Sequence, residues 1–184
     1  MITLIKVDYF ITQLLNKIIP HNLFFDYFFS FFSLKGNSIF IWVLIIIVIT
    51  FLEEKKNPGI SYQDKKFILV FSLSFLITAF IISYLIKPVF RRPRPTFLNL
   101  TQIKNINKNF NCPTDFSFPS THAATAFAAA TILTFFDKKR RFFYYTIAIL
   151  IAYSRIYLSC HYFFDIVFGG IFGLIISKLI INFF

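Results

Sequence analysis

Apolar residues in this chain gather into runs instead of alternating with polar ones, a pattern that predicts helices and no strands. Five runs are long enough, or nearly so, to cross about 30 Å of hydrocarbon. They are Ile39 to Leu52, Phe67 to Ile86, Ala123 to Phe136, Phe142 to Tyr157 and Ile166 to Phe184. The third is rich in alanine, and the last carries Gly169 and Gly173 at the spacing that lets helix backbones approach closely. The first third of the chain differs. From Met1 to Ile19, Val7, Phe10, Ile11, Leu14, Leu15 and Ile18 share a helical face while Lys6, Gln13, Asn16 and Lys17 fall elsewhere, which predicts an amphipathic helix lying on a membrane and ended by Pro20. Leu23 to Leu34 is aromatic-rich, holds Asp26, and is too short to cross alone, so it too is expected in the interface. The expectation is a single all-α membrane domain of about five transmembrane helices: residues 1–36 interfacial, residues 37–184 the helical bundle.

Composition agrees with that pattern: 57% of the 184 residues are hydrophobic, 21% aromatic and 15% charged, with a mean hydropathy of +0.70. A soluble domain of this size needs a more polar surface. The net charge of +11 would suggest nucleic acid in a soluble protein, but the cations sit between apolar runs, as membrane loops do, so no nucleic-acid partner is expected. Lys55, Lys56, Lys65, Lys66, Lys138, Lys139, Arg140 and Arg141 occupy two short loops on one side, a cytoplasmic signature. The loop from Lys87 to His122 and the turn at His161 then face outward, where a probe at Asn107 would react from outside the cell. Lys87, Arg91, Arg92, Arg94, Lys104 and Lys108 lie in that outward loop against the charge rule, too many to be idle. No cleavable signal is expected, because the N-terminus lacks a basic stretch, a short apolar core and a small-residue cleavage site in sequence. Cys112 and Cys160 fall on the same outward, oxidising face and can form a disulfide. The alternative is two unrelated thiols, with Cys160 packed as a small apolar residue. Cα atoms more than about 7 Å apart would exclude the bond.

Three clusters on the outward face carry candidate chemistry. Lys87-Pro88-Val89-Phe90-Arg91-Arg92-Pro93-Arg94-Pro95 offers a point charge and planar guanidinium forks to a phosphate, in a segment stiffened by prolines. Its bland alternative is a basic patch attracting anionic lipid. Phe118-Pro119-Ser120-Thr121-His122 opens the third run: Ser120 can cap the helix, its first-turn N–H groups make an anion site, and His122 can give a proton to a leaving oxygen. Read alone, it is simply a good helix start. Ser154-Arg155 is followed by His161 and Asp165, four apart, so the carboxylate can hold one imidazole nitrogen and present the other as nucleophile. A structural His–Asp pair anchoring a helix end is the rival there.

Together the clusters resemble the type 2 phosphatidic acid phosphatase superfamily, whose signature is Lys-x6-Arg-Pro, Pro-Ser-Gly-His and Ser-Arg-x5-His-x3-Asp. Here these stand as Lys87 with Arg94-Pro95, Pro119-Ser120-Thr121-His122, and Ser154-Arg155 with His161 and Asp165. The resemblance runs from about Ser61 to Ser177, and Thr121 departs from it where the motif has glycine. It implies a lipid phosphatase that needs no metal or other cofactor. His161 would attack phosphorus to give a phosphohistidine, Asp165 would orient its ring, and His122 would protonate the departing oxygen and then activate water. Lys87, Arg94, Ser120 and Arg155 would hold the phosphate, with Thr121 narrowing access or adding a hydrogen bond. Undecaprenyl pyrophosphate, phosphatidylglycerol phosphate and lipid A are substrates within the family, and the residues leave that choice and the oligomeric state open. The Phe, Ile, Lys and Asn bias resembles that of AT-rich bacterial genomes; the expected location is a bacterial inner membrane, with the site facing the periplasm or exterior. Two rivals remain from other classes: a non-catalytic protein holding anionic lipids, and a haem protein with His122 and His161 as axial ligands. The surrounding cations favour a compact anion over haem.

Overall fold

In the computed structural model, residues 2–33, 37–54, 59, 62–95 and 112–184 are described. The loop cations Lys55, Lys56, Lys104 and Lys108 and the probe position Asn107 lie outside them. Among the described residues every regular element is helical. The helices are α1 (Ile2–Ile18), α2 (Leu23–Ser33), α3 (Asn37–Glu54), α4 (Tyr62–Phe80), α5 (Lys87–Phe90), α6 (Thr121–Phe136), α7 (Arg141–Tyr157) and α8 (Phe163–Phe183). A π-helical stretch, Ile81–Ile86, joins α4 to α5 into one helix, Tyr62–Phe90.

The alanine-rich α6 is the centre of the bundle, because a helix without bulky side chains lets its neighbours come close. Ala123, Ala124, Ala126, Ala128, Ala129 and Ala130 are all buried, and α6 packs against α8, α7 and α4. The approach to α8 is tight enough to require glycine. A Cβ on Gly173 would stand 2.1 Å from the Ala124 carbonyl oxygen, and one on Gly169 2.6 Å from that of Ser120. At the opposite end of α6, Asp137 accepts hydrogen bonds from Arg140 (2.6 Å), Tyr144 (2.6 Å) and the Lys139 amide (3.1 Å), closing the turn into α7. Large apolar side chains such as Phe40, Ile47, Leu76, Phe80, Ile149 and Leu179 cover the outside, as lipid contact requires.

The described helices are of unequal reach. By length and composition Tyr62–Phe90 and Phe163–Phe183 can each cross a membrane, and α2 with α3, bent by 76°, makes a third span if the pair counts as one. The apolar α6 and the Arg155-bearing α7 are shorter, at 16 and 17 residues. Both end at the cluster of charged groups described below.

The N-terminal helices differ from a simple interfacial pair. On α1 the polar stripe Asp8, Thr12 and Asn16 is buried against the protein, while Leu4, Phe10, Leu14 and Ile18 are exposed. Of the polar positions expected to face water, Lys6, Gln13 and Lys17 are exposed while Asn16 is buried, so the helix turns a second polar stripe toward the protein. The aromatic α2 packs on α7, with the Phe29 ring 5.3 Å from Tyr153 and 4.5 Å from Tyr157.

Because backbone oxygens cannot retreat as a side chain can, Gly173→Ala and Gly169→Ala are expected to destabilise the protein by about 1–3 kcal/mol each. Gly170→Ala would meet only the Phe127 ring, at 3.2 Å, and should cost less. Thermal unfolding in detergent checks the ranking; three equal melting temperatures would contradict the close α6–α8 contact.

Candidate active site

Three chain segments converge at one end of the bundle, each placed by a helix terminus. The first follows the π-helical stretch, where the Lys87 amide bonds back to the Ile82 carbonyl. One extra residue in a turn rotates everything after it, and here Lys87 at its end is buried although it follows an apolar span. Arg91, with φ of 48°, stops α5 in the left-handed region. Arg94 is then carried inward and is 1% exposed.

Buried cations need acceptors. Asp115 supplies them from the second segment, ion-pairing with both Lys87 and Arg94. Its backbone oxygen also accepts from Arg94 Nε at 2.8 Å. Burial works against the Asp115 charge, but hydrogen bonding to Lys87 and the charges of Lys87 and Arg94 outweigh it and hold the carboxyl below its usual range. Asp115 remains half-exposed. Cys112, three residues earlier, is bonded to Cys160, with Cα atoms 5.4 Å apart. The bridge ties this segment to the residue beside His161.

The third segment is the turn between α7 and α8. His161 is 1% exposed, and its Nε2 lies 2.9 Å from Arg94 Nη1. Arginine can only donate, so Nε2 is the acceptor and the ring proton sits on Nδ1. Nδ1 points toward Asp165 Oδ2 at 3.4 Å, too long for a hydrogen bond, and has no other partner. Burial removes water from the imidazolium, and Arg94, Arg155 and Lys87 repel a further positive charge, so His161 titrates well below the ordinary histidine range. The ring is therefore neutral near pH 7, with a lone pair facing the cations.

Asp165 stands in the first turn of α8, accepting from the Tyr162 amide at 2.9 Å and from Arg92 Nη1 at 2.7 Å. Its backbone oxygen accepts from the Ser120 amide at 2.9 Å. That bond joins the start of α6 to the start of α8. Ser120 caps α6 by accepting from the Ala123 amide, while the Thr121 hydroxyl lies 3.3 Å from that of Ser83 on the π-helical stretch. His122 is half-buried, with Arg155, His161, Lys87 and Arg94 as its charged or titratable neighbours. Arg155 gives one nitrogen to the Ser33 carbonyl oxygen at 2.9 Å and to the Ser33 hydroxyl. Among the described residues its Nε and Nη2 are buried without partners. All eight candidate residues thus stand at one end of the bundle: Lys87, Arg94, Ser120, Thr121, His122, Arg155, His161 and Asp165.

A family model for the PAP2 superfamily matches residues 67–184. The chain belongs to that superfamily. Among PAP2 relatives it is 27% identical over 147 residues to the undecaprenyl-diphosphatase of Sulfolobus acidocaldarius, which covers 79% of this chain and 64% of that protein. It is 24% identical over 101 residues to the bacitracin transport permease protein BcrC of Bacillus licheniformis, covering 55% of this chain and 50% of that one. The chain thus spans less than two thirds of the length of either relative. The crystal structure of Aquifex aeolicus LpxE is similar with a TM-score of 0.63 and 26% identity, over 96% of this chain and 95% of that one. The fold is also shared with the first transmembrane PAP2 type phosphatidylglycerolphosphate phosphatase from Bacillus subtilis (TM-score 0.62, 21% identity, 98% and 86% covered).

Reading the PAP2 motifs alone misses four residues that touch this site: Asp8, Ser33, Arg92 and Asp115. Arg92 stands in the first candidate cluster without a motif position of its own, and Asp115 shows as the lone acid between Lys87 and His122. Ser33 and Asp8 are remote in sequence and meet the site only through folding.

The protonation of His161 can be read directly, because the chain has only three histidines. Nitrogen NMR of histidine-labelled protein, assigned with His161→Asn, is expected to show a neutral His161 ring at pH 6; an imidazolium would contradict the burial argument. Asp115 sits on the cations that a phosphate would use. Asp115→Asn is therefore expected to tighten vanadate binding by about two- to fivefold, the scale of a half-exposed ion pair; weaker binding would show that the carboxylate instead holds the cations in place.

Proposed function

We propose that this protein is a membrane-embedded lipid phosphatase that removes a phosphate monoester or pyrophosphate group from a lipid head group through a phosphohistidine. One observation carries the reading. A buried, neutral histidine turns its lone pair toward Arg94, in a site where Arg155 keeps two buried nitrogens without partners. A phosphate entering there meets Lys87, Arg94 and Arg155, and among the described residues Asp115 is the one carboxylate ion-paired with any of the three, bonding Lys87 and Arg94. That positive surplus suits a dianion.

In the mechanism we favour, Arg94 exchanges the His161 nitrogen for a phosphate oxygen. The freed Nε2 forms the N–P bond as the P–O bond to the lipid breaks. The bound dianion offsets the surrounding cations so that His122 enters as imidazolium; it gives its proton to the leaving oxygen, then takes one from the water that attacks phosphorus, and the N–P bond breaks to regenerate His161. Asp165 faces the Nδ1–H and stabilises the positive ring as it forms. Charge on the equatorial oxygens is met by Lys87, Arg94, Arg155 and the start of α6 at Ser120 and Thr121, so no metal ion is required.

The reading places five crossings at α3, Tyr62–Phe90, α6, α7 and α8, in a bacterial inner membrane. The short α6 and α7 fit if their polar ends lie at the outward-facing site, opposite the basic turn Lys138–Arg141. Undecaprenyl pyrophosphate, phosphatidylglycerol phosphate and lipid A form the substrate panel; the undecaprenyl-diphosphatase relative supports the first.

The test is phosphate release from that panel by purified protein in EDTA. Turnover of at least one lipid is expected, abolished by vanadate and by His161→Ala. His122→Ala should fall by roughly 10²–10⁴-fold. Activity lost in EDTA and restored by magnesium, or near-normal turnover by His161→Ala, would overturn the mechanism. Vesicle binding without release of phosphate from any lipid would favour a non-catalytic anionic-lipid protein.

A further inference from the structure

The first of the helices that lie outside the family match, α1, is built into the site. On α1, Asp8, Thr12 and Asn16 recur every four residues and so form one stripe. Each reaches a terminus beside the turn that carries His161. Asn16 Nδ2 donates to the carbonyls of Ile156 and Tyr157, both at 2.8 Å, satisfying acceptors left over at the end of α7. The Thr12 hydroxyl accepts from the Phe163 amide at 2.9 Å, and Asp8 Oδ1 from the Phe164 amide at 2.8 Å, serving donors left over at the start of α8. One helix thus holds both ends of the turn.

Asp8 does more than cap. It is 1% exposed, and its Oδ2 accepts from Arg92 Nη2 at 2.6 Å, while Arg92 Nη1 donates at 2.7 Å to Asp165 Oδ1. Arg92 also lies over the Tyr162 ring, 3.9 Å from its centroid. The guanidinium is therefore shared between two carboxylates. Arginine and a lone carboxylate tend to pair through both oxygens and both nitrogens. If Arg92 did so with Asp165, Oδ2 would be drawn off His161 Nδ1. Asp8 takes the second nitrogen, so Arg92 binds Asp165 through Oδ1 alone and Oδ2 stays beside the imidazole.

We infer that Asp8, acting through Arg92, is a positioning residue that fixes the Asp165 carboxylate for His161. The inference rests on the phosphatase reading and adds to it a part of the chain outside the family match. Neither residue touches the reacting atoms; their effect is on how well Asp165 holds the ring as charge develops, which is a property of the transition state and not of substrate binding.

The experiment is steady-state kinetics of the full chain with the best lipid of the panel, for wild type, Asp8→Asn, Arg92→Ala, Arg92→Lys and the Asp8→Asn/Arg92→Ala double variant. Vanadate affinity is measured alongside. Asp8→Asn keeps an oxygen for the Phe164 amide and removes the charge that holds Arg92. Its kcat is expected to fall by about 10- to 100-fold, the usual scale for residues that orient a catalytic group, with KM and vanadate affinity within about twofold of wild type. The double variant should be no slower than Arg92→Ala, because the two act as one unit, and Arg92→Lys should lie between Arg92→Ala and wild type. Unchanged kcat in Asp8→Asn, a change in KM alone, or additive losses in the double variant would overturn the inference. If Asp8→Asn does not fold, Arg92→Ala at wild-type kcat overturns it. A wild-type protein that turns over no lipid brings down the phosphatase reading and this inference with it; an active wild type with Asp8→Asn at the same kcat brings down this inference alone.

Discussion

Everything at the working end of this molecule follows from burying cations in an apolar bundle. Lys87, Arg94 and Arg155 are each no more than 3% exposed, and an unpartnered charge in such surroundings costs several kcal/mol. The fold meets that cost by bringing acceptors from distant parts of the chain. Asp115 serves Lys87 and Arg94, the Cys160 carbonyl takes Arg94 Nη1 at 2.9 Å, and Ser33 takes one nitrogen of Arg155. What is left unsatisfied is informative. Among the described residues Arg155 keeps two buried nitrogens without partners, and an anion bound there would satisfy them, whereas the bare Nδ1 of His161 faces Asp165.

The same requirement explains the packing around the site. Cations from three segments can converge only if the helix termini that carry them meet closely, and the bare backbones of Gly169 and Gly173 let α8 approach the start of α6. The Ser120 amide then reaches the Asp165 carbonyl, which fixes the start of α6 relative to the turn that carries His161. The disulfide at Cys112 ties the Asp115 segment to the turn, so the counter-charge is tethered beside His161. Thr121 fits this arrangement: its hydroxyl has a partner in Ser83, so the residue that departs from the family signature is accommodated by the π-helical stretch.

Much of this was legible in the sequence, because the signals are local. Apolar runs give the helices, and the alanines of α6 and glycines of α8 mark the close pair. Motif spacing brings out the eight candidate residues, which the structure gathers at one end. What the sequence concealed depends on pairing between remote segments. On α1 the sequence pattern brings out Lys6, Gln13, Asn16 and Lys17 but not Asp8 and Thr12; only tertiary contact shows Asp8, Thr12 and Asn16 buried against the turn. Arg92 reads as one cation among several, and its two carboxylate partners are 73 and 84 residues away. Asp115 was visible as a residue but not as a partner, since nothing in its neighbours says which cations it meets. The lengths of α6 and α7 were also modest in the sequence, and their reach across a membrane depends on the polar groups at their ends, not on apolar length.

The central claim is that His161, held neutral and facing the cations, forms a covalent bond to phosphorus. It is tested most directly by mixing enzyme with lipid labelled in its terminal phosphate, quenching within a single turnover, and mapping the labelled peptide. The account predicts label on the peptide containing His161, stable in alkali and lost in acid, as a phosphoramidate is. Label on a carboxylate, or full turnover with no covalent label at any quench time, would contradict it.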